Sequence, residues 1–219
     1  MLKSVLHKLY KPVVEFYLRK ERTYRYRDLT LKIFPGVFHP GFFFSTKILL
    51  AYLEPVDLKN KTLLELGAGS GLIAIAAAKK GAVVTATDIS KTALENISVN
   101  QELNRVSLQV FHSDLFDRVP QLVFDFLVIN PPYFKGKIKH EASHAWYAGE
   151  HFDYFQKLFY QLPAYMNESS KALMILSDDC DISRIESIAA KNNFLMKTVY
   201  TKKVFPETNF IFEIHFLKN

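Results

Sequence analysis

The sequence predicts an α/β protein, a mostly parallel sheet of seven strands with helices on both faces and an antiparallel edge at the C-terminal end. Three observations carry this. After Lys61, short apolar runs alternate with stretches of helical periodicity. Three of the eight glycines crowd into one strand-to-helix junction, "LELGAGSG", at Gly67, Gly69 and Gly71. The last two runs, "LMKTVYT" and "NFIFEIHFL", alternate polar and apolar residues, as antiparallel neighbours do.

Taken in order, residues 2–20 space Val5, Leu6, Leu9, Tyr10, Val13 and Tyr17 as one helical face, kinked at Pro12. "TYRYRDLTLKI" alternates as an edge strand would, and "FPGVFHPGFFF" has the prolines and glycines of a loop. A helix is expected from Ser45, with Ser45 or Thr46 as its cap. "TLLEL" is a strand, "GLIAIAAAKK" a helix ended by Gly81, and "AVVTATD" a strand. "SKTALENISVNQEL" is a helix capped by Ser90, followed by strands "SLQVFH" and "VFDFLVIN". "HFDYFQKLFYQLPAYM" and "ISRIESIAAKNN" are helices flanking the strand "KALMILS". No linker interrupts the pattern, so residues 36–219 are expected to form one domain, with 1–35 a basic extension of helix and edge strand.

Nearly half the chain is apolar (49%), enough for a sizeable core in 219 residues. The single cysteine, Cys180, allows neither an internal disulfide nor a cysteine-pair metal site, and is expected to be inert. Lys3, Lys8 and Lys11 break the N-terminal apolar residues, unlike a signal peptide, and no run is long enough to span a bilayer. A soluble cytoplasmic protein, with no membrane partner, is the expectation. Charge is concentrated at the start. Residues 1–32 carry a net +6, and everything after is balanced, 19 basic against 19 acidic. Tyr24 and Tyr26 lie among Arg22, Arg25 and Arg27, a pattern suited to gripping phosphates and stacking on RNA bases, or to a plain solvated face.

The glycine junction lies where an open α/β sheet holds its ligand. A nicotinamide fingerprint would place its last glycine where Leu72 stands. Asp88, ending the next strand, is placed to accept from the hydroxyls of a ribose, and Asp114, after the third, from an adenine amino group. "VINPPYFKG" then ends a core strand with Asn130, two prolines that donate no backbone hydrogen bond, and Tyr133.

This ordered set resembles the class I S-adenosylmethionine-dependent methyltransferases, over about residues 36–217. The asparagine-proline-proline-aromatic element is the specific part, marking the members that methylate planar nitrogens. The resemblance implies a Rossmann-like fold and S-adenosylmethionine as cofactor. Gly67, Gly69 and Gly71 would approach its methionine moiety, Glu65 would lie beneath them, Ile89 against adenine, and Thr46 and Phe43 near cofactor and acceptor. Asn130 and the Pro131 carbonyl would each accept one N–H of a flat amide or amine, with Pro132 stiffening the pair and the Tyr133 ring stacking on the group. Such positioning is worth roughly 7–11 kcal/mol, so no strong base is needed.

Two relatives are resembled locally. "AWYAGEHFDYFQKLFYQLP" is similar to the release-factor glutamine methyltransferases of HemK type, and "FPGVFHPGFFFSTKILLAYL" to the small-domain ribosomal-RNA guanine methyltransferases. The latter usually carry phenylalanine where Tyr133 stands, and the former a larger helical N-terminal domain. Protein glutamine is the favoured acceptor, with an exocyclic amine of an rRNA or tRNA base as the alternative. HemK-type enzymes with short N-termini imply a small activating protein partner. A non-catalytic binding module and a nicotinamide oxidoreductase are the remaining readings. His140, His144 and His151 follow no compact metal-ligand spacing, so no metal is expected and their segment reads as a lid over the acceptor.

Overall fold

The computed structural model describes residues 17–137 and 146–217. The expected helix over residues 2–20 lies outside the described residues except for 17–20, and so do His140 and His144. Strands β3 (Thr62–Leu66), β4 (Val83–Asp88), β5 (Gln109–His112), β6 (Phe126–Ile129), β7 (Lys171–Ser177), β8 (Phe194–Val204) and β9 (Glu207–Phe216) form one sheet, in the order β5-β4-β3-β6-β7-β9-β8. The pairs from β5 to β7 are parallel, and β9 runs against both neighbours. The antiparallel strand is therefore the last in sequence but sits inside the sheet, with β8 taking the edge. This is the Rossmann-like methyltransferase architecture.

Helices α1 (Phe44–Leu53), α2 (Leu72–Lys79) and α3 (Lys91–Leu103) cover one face; α4 (Asp153–Gln161) and α5 (Ile182–Lys191) cover the other. Successive strand residues point to opposite faces, so the unbroken apolar runs of the central strands feed two cores at once. In β6, Phe126 and Val128 join the α1–α3 side while Leu127 and Ile129 join the α4–α5 side. That is why these strands read as continuous rather than alternating. Gly81 ends α2 with φ +86, and Ser90 caps α3 by accepting from the Ala93 amide at 3.4 Å.

Three expectations need correction. "TYRYRDLTLKI" is no edge strand of the main sheet: it folds on itself as β1 (Arg22–Tyr26) and β2 (Leu29–Ile33), an antiparallel pair turned at Arg27, φ +54. The alternation was real, but Leu29, Leu31 and Ile33 are buried against the helical layer instead of extending the sheet. The helix after the loop begins at Phe44, and its N-cap, Phe43, gives no side-chain cap. Ser45 and Thr46 are buried in its first turn, so neither caps it. Finally, the long helix after His151 stops at Gln161, where Pro163 turns the chain into a 3-10 turn at Leu162–Ala164.

An asparagine ladder docks the hairpin. Asn96 and Asn100 on α3 and its C-cap Asn104 are spaced four residues apart, and their side-chain oxygens accept from the amides of Phe34, Lys32 and Thr30 at 3.1, 2.7 and 3.1 Å. Their amide groups donate back to the carbonyls of Lys32 and Thr30. The match is geometric: four helical residues rise about 6 Å, close to the roughly 6.7 Å spanned by two strand residues. The helix thus serves as a second neighbour for β2. Asn100 also donates to the Ser70 carbonyl at 2.9 Å, so hairpin, helix and glycine loop are joined through one buried side chain.

Candidate active site

The chain runs outward from β3 to β4 and β5, then returns to place β6 on the other side of β3. At such a reversal the connections leave in opposite directions and open a crevice at the carboxyl ends of the strands. A cavity of about 280 Å³ lies there. Its lining includes Thr46, Glu65, Gly67, Gly69, Asp88, Ile89, Asp114 and all of Asn130 to Tyr133. The fold therefore gathers the sequence-predicted residues apart from Gly71 and Phe43, which are not among the lining residues. Gly71 is the N-cap of α2, and its absent Cβ would meet Ile97 at 3.2 Å.

Local physics fixes the cofactor side. Gly67 has φ +70, and a Cβ there would meet nothing within 4 Å, so bare backbone faces open space. Because Gly71 has no capping side chain, Glu65 supplies one from β3, its Oε2 accepting from the Ala74 amide at 2.7 Å. Asp88 steadies the loop, accepting from the Gly69 amide at 2.8 Å and the Ser90 amide at 2.9 Å. The Ile89 carbonyl is held by the His112 ring at 2.8 Å. The carboxyl groups at the strand ends, the open glycine backbone and the apolar wall together fit the hydroxyls, amino group and sulfonium of S-adenosylmethionine.

Burial pushes the Glu65 carboxyl up to about 8; the Ala74 hydrogen bond opposes the rise and the Asp88 charge adds to it. Between the ordinary value of 4.5 and about 8 the folded chain therefore keeps a proton that the unfolded chain has lost, and stability falls as pH rises through that window. Glu65→Gln keeps an acceptor for Ala74 and removes the buried charge. In cofactor-free melts it is expected to raise Tm by several degrees near pH 8 and by much less near pH 5. Equal gains at both pH values would contradict this account.

On the other side of the cavity, the Asn130 amide donates to the Thr46 hydroxyl at 3.4 Å, which aims Oδ1 as the acceptor. Tyr133 packs against the α4–α5 core and bonds through its hydroxyl to Ser177; burial raises its pKa well above the ordinary value. Phe38 stacks on Phe43 with centroids 4.7 Å apart, and Trp146 lies 5.8 Å from the first and 4.9 Å from the second. Phe38 and Trp146 line the cavity, and Phe43 packs against both rings. Beyond the motif, residues 134–136 pair with 146–149: Phe134 accepts from and donates to that segment at 2.9 and 3.0 Å, and Gly136 donates at 3.2 Å.

Phe38, Trp146, Tyr154 and Lys157 line the cavity without having been singled out as cofactor or catalytic residues. Trp146 had a signal, an aromatic in a polar segment; Lys157 had none, because only the packing of α4 brings it to Asp114. The basic hairpin sits beside the mouth: Arg22 stacks on Tyr17 at 3.8 Å, and Tyr24 contacts His39 at 5.5 Å, next to the lining residues Phe38 and Pro40. Among the described residues no cluster could hold a metal, and no helix is long and apolar enough to cross a membrane. Cys180 is half-buried, and burial pushes its thiol up to about 12, which keeps it protonated.

Residues 28–148 match the family described as methyltransferase small domain. A proposed protein N5-glutamine methyltransferase of Methanocaldococcus jannaschii is 34% identical over 155 residues, covering 68% of this chain and 76% of that protein. The release factor glutamine methyltransferase of Lactococcus lactis is 39% identical over 112 residues, 49% of this chain and 40% of its own length. Among solved structures, a two-protein complex from E. cuniculi responsible for methylating the eRF1 translation termination factor matches with a TM-score of 0.63, at 19% identity, over 82% of this chain and 98% of that one.

Proposed function

The chain belongs to the methyltransferase small-domain family and is an S-adenosylmethionine-dependent methyltransferase, and from that premise we propose that it methylates the side-chain amide nitrogen of a glutamine in a protein. The observation that carries this is the Asn130 amide donating to Thr46, which leaves Oδ1 as the acceptor at the end of β6, in a cavity that Phe38 and Trp146 also line. The names of the two relatives turn a flat-nitrogen site toward glutamine in particular.

When bound, S-adenosylmethionine supplies an electrophilic methyl group. The chain's part is to hold cofactor and acceptor. In this reading Asp88 takes the ribose hydroxyls, Ile89 packs on adenine, Asp114 accepts from its amino group, and Gly67, Gly69 and Gly71 make room for the methionine moiety above Glu65. Asn130 Oδ1 and the Pro131 carbonyl each take one N–H of the acceptor, which directs the nitrogen lone pair and favours the positive charge developing there. Asn130 is neutral and cannot act as a base; the surplus proton passes to water after methyl transfer. Pro132 stiffens the turn. Tyr133, tied to Ser177, supports the acceptor group with a fixed ring rather than a swinging one.

Residues 1–35 then serve as a basic grip on the acceptor's surroundings, a ribosomal or RNA surface included, for the domain over 36–219. A small activating protein partner accords with the two-protein neighbour, and the cytoplasm is the expected compartment. The test is incubation with methyl-labelled S-adenosylmethionine and a lysate from a strain lacking the protein, which would also supply any partner. Label that survives nuclease, is lost to protease and is recovered as N5-methylglutamine is expected. Label lost to nuclease alone would replace glutamine with an RNA base.

A further inference from the structure

We propose that Lys157 is a positioning residue for the nucleoside end of the cofactor, holding the Asp114 carboxylate so that it reads an exocyclic amino group and rejects a 6-oxo purine. The proposal rests on the reading of Asp114 given above.

Lys157 and Tyr154 are three residues apart, on one face of α4, and both line the cavity. The Lys157 ammonium donates to Asp114 Oδ2 at 2.6 Å and to Asp117 Oδ2 at 2.7 Å. Gln161, one turn further along, donates to Asp117 Oδ1 at 2.8 Å. The chain of contacts has a direction. Gln161 orients Asp117, Asp117 and Asp114 share the ammonium, and Asp114 stands at the cavity. The helix packs on the core through Phe155, Leu158 and Phe159 and does not depend on this network. Ion pairs exposed to this degree add little to stability, so their value lies in orientation.

An aspartate at a strand end turns easily about its terminal torsion. Tying Oδ2 to the ammonium fixes the carboxylate plane and leaves Oδ1 for the incoming donor. A carboxylate accepts hydrogen bonds and donates none. An adenine amino group satisfies such an acceptor. A 6-oxo purine offers it a lone pair, and two of the three N–H groups of the ammonium are already given to carboxylates.

The test is calorimetric binding of S-adenosylhomocysteine and of its 6-oxo analogue, S-inosylhomocysteine, to the full chain, with no acceptor present. Wild type is expected to prefer the adenine compound. Lys157→Met should weaken that compound about tenfold, the size of one lost well-placed hydrogen bond, and leave the inosine compound within about twofold, so that discrimination falls. Lys157→Arg, which keeps the charge and the donors, should restore most of it. Melting curves report whether either variant is misfolded. Unchanged discrimination in Lys157→Met, or equal weakening of both ligands, would overturn the proposal while sparing the assignment of Asp114. Failure of wild type to prefer adenine would overturn both.

Discussion

Asn130→Ala is expected to lower kcat for methyl transfer by about 10²–10³-fold, as loss of one preorganised polar contact to a developing charge commonly does, while binding of S-adenosylhomocysteine changes by less than about threefold. The asymmetry follows from geometry. Asn130 bonds to Thr46 on one side of the cavity, whereas the glycine loop, the proposed cofactor side, is held by Asp88 and Glu65. The alanine variant leaves the two prolines in place, so the turn persists and only the acceptor atom is lost. Measuring kcat alongside calorimetric binding separates the outcomes. A variant that loses both equally would mean that Asn130 builds the pocket; one that keeps full activity would remove the nitrogen-positioning mechanism altogether.

Asn100→Leu should carry the largest stability cost of any single change discussed here. Asn100 is fully buried and makes three hydrogen bonds, accepting from the Lys32 amide and donating to the carbonyls of Lys32 and Ser70. Leucine has similar bulk but satisfies none of them. The Lys32 carbonyl retains Asn96, but the Lys32 amide loses its partner and the Ser70 carbonyl loses Asn100. At about 1–3 kcal/mol for each buried group left unsatisfied, the loss is about 3 kcal/mol, lowering Tm by about 9 °C at the 2–4 °C per kcal/mol expected for this size. Because Ser70 belongs to the glycine loop, cofactor affinity should fall too, unlike in a variant of the exposed hairpin turn. Thermal melts and calorimetry on the same sample check both claims. A melting temperature within about 2 °C of wild type, less than one such group is expected to cost, would show that the hairpin is held by its apolar face alone.

The central strands and their helices were legible because burial on both faces leaves a local trace: continuous apolar runs, each bounded by glycine, proline or a capping serine. The residues that line the cavity were legible for a related reason. A parallel sheet delivers the ends of its strands to one edge, so residues spread from Glu65 to Tyr133 converge without any knowledge of side-chain packing. Errors came where two solutions share one local pattern. The alternation from Thr23 to Ile33 suits an edge strand and a hairpin equally, and what decides is a partner seventy residues away, the asparagines of α3. Ser45 and Thr46 have the chemistry of caps, but the loop enters α1 one residue earlier and buries both, sending the Thr46 hydroxyl to Asn130.

The strands and helices after Lys61, the glycine loop, the carboxylates at the strand ends and the Asn-Pro-Pro-Tyr turn could be read from the chain alone, since each depends on residues close together in it. Only the tertiary structure decided what those groups touch. Lys157 reaches Asp114, Glu65 caps α2, the asparagine ladder takes in the hairpin, and Phe38 meets Trp146 across the cavity mouth. A hydrogen bond or a ring contact depends on distance in space, and partners from nine to 108 positions apart leave no periodicity by which one could announce the other.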